Sequence, residues 1–209
     1  MNEGRNVAFC RHQLLQCEEL MHFKRWLTDE RHNQLMGYQI VSKQQPLEAR
    51  QLLMLAQEGA QQLLSEQQDG RLLLPVSPEQ LCDEPLMNQL LDQLLKERFS
   101  WRNLVLVIAS EPDAVQLERF NQAAYRLHGC QVELWLSVTD FAAPNELLVD
   151  ALLIDSTALP CPLDPLPKWD EVLFSLEQAH LPLIWVEPPS EALSTCLQDP
   201  TYVVLSSLH

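Results

Sequence analysis

From residue 71 onward the sequence alternates short, largely apolar runs with longer amphipathic stretches. The runs are RLLLPV (71–76), NLVLVIAS (103–110), QVELWLSVTDF (131–141), ALLID (151–155), LPLIWVE (181–187) and TYVVLSS (201–207). A strand that is apolar at consecutive positions is buried on both faces, as strands of a parallel sheet covered by helices are. Between the runs, residues 85–99 place Leu86, Leu90, Leu91, Leu94 and Leu95 on one helical face. A second helix is expected from Pro112 to a closing Gly129, and further short ones over 170–180 and 190–197. Upstream, residues 35–43 read as a strand, and Pro46 opens a helical pattern carrying Leu52, Leu55, Leu63 and Leu64 that ends at Asp69-Gly70. Ser77-Pro78 begins a turn, and residues 6–16 read as a strand. The charged, aromatic stretch 17–34 fits a helix or a hairpin, so residues 1–34 stay unassigned. Seven or eight strands with intervening helices fit either a closed (β/α) barrel or an open doubly wound sheet. No linker or internal repeat divides the chain, so residues 1–209 are expected to form one domain.

Composition narrows the function classes. Lys and Arg total 14 against 29 Asp and Glu, a net charge of -15 that repels nucleic acids and anionic membranes. The five glycines form neither the dinucleotide nor the P-loop spacing. No apolar stretch reaches the roughly 18 residues of a membrane helix, and the first residues lack a secretory pattern. Six cysteines without a C-x-x-C pair point to reduced, packed thiols, and the chain is expected in the cytoplasm. The histidines show no metal-ligand spacing, and neither Ser77 nor Ser110 lies in a G-x-S-x-G context.

Taken in order, the strand ends resemble those of the bacterial EAL-domain family, the cyclic di-GMP phosphodiesterases built on a (β/α) barrel of TIM type. RLLLPVSPEQL resembles the strand and V-N-L-S-P-x-Q-L turn of that family, and LVLVIASEP resembles L-V-L-E-I-T-E-S. LHGCQVELWLSVTDFAAP resembles the leucine-glycine turn, strand and D-D-F-G loop; VDALLID resembles V-D-x-L-K-I-D; LPLIWVEPPSEA resembles the last strand with E-G-V-E-T. The likeness spans residues 35–206 and makes a single EAL-like barrel the expected fold, with the open sheet as its alternative. The helix that normally follows the last strand is not expected here, so the barrel is expected to be incomplete on its C-terminal side, with an edge that would favour dimerisation or a partner strand.

The resemblance implies two Mg²⁺ or Mn²⁺ ions held by strand-end carboxylates and an Asn, with a Lys orienting the water. This sequence departs from that set. The Glu of the Glu-Ala-Leu signature falls on Gln39, although an alignment through Glu19-Leu20 would keep a carboxylate. The Asn falls on Pro75, the next strand-end Glu on Val107, and the Asp pair on Thr139-Asp140. The Lys falls on Leu153, and of the two Glu in E-G-V-E the first falls on Ile184 while Glu187 is retained. Asp140 and Glu187 alone cannot hold two divalent ions, each of which takes about six oxygens. The departures imply a relative without phosphodiesterase activity, with no metal and no cofactor. Family members of that kind act by contacting other proteins, including transcription regulators of motility and biofilm genes. The alternatives are a sensor that binds cyclic di-GMP without cleaving it, which the negative charge opposes, and an active hydrolase through the Glu19 alignment. Phe23, Arg25 and Trp26 combine aromatic groups with one of the few local concentrations of positive charge, and are the first candidates for a partner surface.

Overall fold

The computed structural model describes residues 23–29, 34–41, 46–66, 70–138, 147–155, 174, 176–178, 180–188 and 202–208. Eight strands close a barrel in chain order: β1 (Phe23–Asp29), β2 (Gln34–Val41), β3 (Arg71–Val76), β4 (Leu104–Ile108), β5 (Glu133–Ser137), β6 (Ala151–Asp155), β7 (Leu183–Val186) and β8 (Tyr202–Leu208). Strands β2 to β8 run parallel. β1 is antiparallel to both β2 and β8, so it closes the cylinder from both edges. The edge expected after the last strand is therefore covered: Trp26 to Asp29 pair with Leu208 to Leu205. Of the helix and hairpin left open for residues 17–34, the described residues Phe23–Asp29 are strand, paired antiparallel with β2. The proposed strand at 6–16 and the short helix at 190–197 lie outside the described residues.

Helix α1 (Ala49–Ser65) joins β2 to β3, α2 (Pro78–Cys82) and α3 (Glu84–Lys96) join β3 to β4, and α4 (Leu117–Gly129) joins β4 to β5. Two of these differ from the sequence reading. The expected turn at Ser77-Pro78 is the start of α2: the Ser77 hydroxyl accepts the Gln80 N–H while the Gln80 side chain accepts the Ser77 N–H, with Pro78 in the first helical position. The Gln80 amide also donates to the Leu47 carbonyl, tying this helix to the start of α1. Ser77→Ala is expected to cost about 1 kcal/mol, the usual worth of an N-cap, as a lowered urea midpoint with an unchanged slope. The helix expected from Pro112 begins only at Leu117, because the Asp113 carboxylate takes the Gln116 N–H at 2.8 Å and holds the preceding residues in a turn.

Alternation along the strands splits the apolar side chains into two cores. Leu72, Leu74, Leu104, Leu106, Ile108, Leu134, Leu136, Leu152, Ile154 and Trp185 face outward and pack with the helices, including Leu52, Leu63, Leu90, Leu94, Phe120 and Leu127. Leu27, Leu73, Val105, Val107, Trp135, Ala151, Leu153, Ile184, Val186 and Leu205 form a separate cluster that contains no helical residue: the barrel interior. Both faces of each strand are covered, which is why the runs read as unbroken apolar sequence.

Candidate functional site

In a (β/α) barrel the C-terminal ends of the parallel strands form the mouth where chemistry is carried out. The strand register brings the positions singled out in the sequence to this end. Gln39 pairs with Leu73 and is buried. One inward position further along β3, Pro75 is in register with Val107 on β4, which in turn faces Trp135 on β5. Pro75 lies beyond the last rung of β3 with β2, so its missing N–H costs no bond on that side. Ser137 pairs with Leu153, Leu153 with Ile184 and Ile184 with Val203. Val107, Leu153 and Ile184 belong to the interior cluster, each buried. Thr139 and Asp140 lie outside the described residues, as does Glu19.

Three polar groups accompany this ring. Gln39 is a buried amide in register with Arg25 on β1 and Leu73 on β3. Asp155 is the next inward position after Leu153, in register with Val186, and is also buried. Glu187 follows β7 with φ 52 and donates its N–H to the Leu205 carbonyl at 2.9 Å. The other non-glycine residues with positive φ, Arg98, Gln131 and His180, each follow a helical segment, where a left-handed residue commonly ends the helix. Glu187 adopts this conformation at a strand end instead. Among the described residues no three His, Cys, Asp or Glu side chains converge in a way that could hold a metal ion. The described strand-end positions offer the Gln39 amide and the Asp155 and Glu187 carboxylates, where a two-ion centre would need a larger shared set of oxygens.

The opposite end of the barrel carries charge. Arg71 on β3 is ion-paired with Glu133 on β5, and its guanidinium lies 5.9 Å from the centre of the Trp135 ring. The Trp135 indole N–H donates to the same Glu133 oxygen at 3.1 Å. The sequence reading passed over this group, since Arg71 and Glu133 open their strands and read as ordinary boundary residues. Their inward parity with Leu73 and Trp135 was the available signal.

Near the mouth, the exposed Glu79 carboxyl is held below its usual range by its own backbone N–H, and further by the Ser77 hydroxyl and Gln116. Burial raises the Cys82 thiol above the ordinary cysteine value. Ser77, already committed to capping α2, is not poised as a nucleophile. Phe23, Arg25 and Trp26 lie on β1, where Arg25 is in register with Gln39 and Trp26 with Tyr38. Among the described residues no helix is long and apolar enough to cross a membrane.

No family sequence model matches the chain, and no curated protein matches it. Solved structures do. The PaMucR phosphodiesterase in its c-di-GMP complex shares 11% identity at TM-score 0.66, over 93% of both chains. The EAL domain of Mycobacterium smegmatis DcpA shares 19% identity at TM-score 0.66, over 90% of this chain and 88% of that one. An EAL domain protein from Listeria monocytogenes EGD-e shares 10% identity at TM-score 0.63, over 88% of this chain and 84% of that one. Likeness at such low identity speaks for the fold: the chain folds as an EAL-like (β/α) barrel.

Proposed function

We propose that this chain is a non-catalytic EAL-like regulator that works by protein contact, in the control of motility, biofilm formation or transcription. The observation that carries this reading is the ring formed by Pro75, Val107, Leu153 and Ile184 at the inward strand-end positions. None of these side chains has an oxygen or nitrogen to ligate a cation, polarise a phosphodiester or take a proton from water. Metal-assisted hydrolysis depends on all three. The net charge of -15 adds long-range repulsion against a dianionic nucleotide. Phe23, Arg25 and Trp26 on β1 remain a proposed contact surface within this reading.

Titration calorimetry of the protein with cyclic di-GMP and Mn²⁺, followed by chromatography of the same sample, tests it. The expected result is no binding heat and no linear product. Linear product would overturn the proposal outright. Heat without product would replace it by the sensor reading, which is favoured by neighbours of this fold solved with the nucleotide, such as PaMucR and Klebsiella pneumoniae BlrP1.

A further inference from the structure

Helix α4 buries Phe120, Ala123, Ala124 and Leu127, and its other side would ordinarily be polar. That side carries Glu118, Gln122 and Arg126, but also Leu117 and Tyr125, with Asn121 between them at i, i+4, i+8, along one wall of an open groove of about 830 Å³. Leu148, just before β6, forms the other wall. The two walls are fastened together, since the Leu148 N–H donates to the Asn121 side chain at 2.9 Å. Tyr125 is 75% exposed and Leu148 38% exposed. Large apolar groups gathered around a groove are the usual mark of a contact site, and a Tyr supplies contact area at small entropic cost.

The charges around the groove select its occupant. Arg126, at one end, is ion-paired with Glu84 of α3. Arg119 lies near Cys82 on the α2 side, away from the groove lining. Glu118 lines the groove, hydrogen-bonded by the Gln122 amide rather than by a cation, and Asp113 and Glu111 lie in the segment that leads into α4. A second copy of this chain carries the same net charge of -15, which opposes self-association. We propose that the α4 groove is the docking site for an amphipathic helix of a partner protein whose apolar anchors are flanked by Lys and Arg. This rests on the protein-contact reading and gives it a location on the outer wall of the barrel.

A fluorescent amphipathic Leu/Lys peptide, followed by anisotropy, serves as the probe, with a Leu/Glu peptide of the same pattern for comparison. Saturable binding of the Leu/Lys peptide alone is expected, with hydrogen-exchange protection over residues 114–126 and 147–149. Tyr125→Ala combined with Leu148→Ser should weaken it at least about tenfold, although both substitutions leave the net charge untouched; that separates a groove from general attraction to an acidic protein. Glu118→Lys should weaken it too and flatten its salt dependence. Circular dichroism should stay unchanged, since both groove side chains are exposed. Equal affinity for the double variant, or protection elsewhere, would overturn the proposal. So would a dimer in sedimentation that Tyr125→Ala dissociates, which would give the groove to a second copy. Turnover of cyclic di-GMP would sink the non-catalytic reading and leave these peptide results standing.

Discussion

Trp135→Ala is expected to lower stability by about 4 kcal/mol, within the range measured for removing a fully buried large aromatic. The indole sits inside the barrel among Leu73, Val105, Val107, Ala151 and Leu153, where the strands allow little collapse into the space it would leave. Removing it also strips Glu133 of an N–H donor and Arg71 of the ring beside it. Trp135→Phe keeps most of the volume and loses only the N–H, so its cost should be about 1–2 kcal/mol. Urea denaturation of the three proteins, with slopes compared, makes the measurement. Similar losses for Phe and Ala would mean that the hydrogen bond, not the filling of the barrel, carries the effect. Glu133→Gln should cost about 1 kcal/mol or less, because a half-exposed ion pair is screened by water.

The second large effect is expected at Gly37. A Cβ built there would lie 2.1 Å from the Arg71 carbonyl oxygen, a backbone atom of the next strand that cannot move without opening the β2–β3 ladder. Gly37→Ala is expected to cost about 3 kcal/mol, as forced overpacking does. Gly59 on α1 provides the comparison. Its added Cβ would meet the Leu72 Cδ1 at 2.5 Å, the far end of a side chain that can rotate, and alanine gains about 1 kcal/mol of helix propensity there. Gly59→Ala should therefore stay within about 1 kcal/mol of the parent. Thermal melts of the two variants side by side decide the point: equal behaviour would mean that β2 and β3 do not approach this closely.

The parts of this fold that were legible in the sequence are those where one local rule acts alone. RLLLPV and ALLID are strands over the expected residues, since apolar runs of that length have no other stable use between helices. The first strand was not legible, because FKRWLTD mixes charges with aromatics and takes its place only through pairing with residues near both ends of the barrel. Helix α2 was read as a turn because its five residues are too few for periodicity, and only the Ser77–Gln80 reciprocity marks it. For the site, the strand-end positions could be placed only by motif order; in the structure Pro75 is in register with Val107 and Leu153 with Ile184. The groove on α4 was not legible, because Leu117 and Tyr125 look like ordinary helical apolar residues until the packing shows which of them the core leaves outside.

The antiparallel first strand also governs the order of assembly. β1 leaves the ribosome ahead of α1 to α4, yet one of its two pairing partners, β8, is the last of the eight described strands to be made. For most of synthesis β1 therefore has hydrogen bonds available on one side only, while β2 to β7 accumulate as an open, twisted wall. The ring is completed late, by contacts between residues distant in sequence, which are the slowest kind to form. A chaperone acting on this protein would be needed most in that interval, at the two unpaired strand edges that the finished barrel no longer displays.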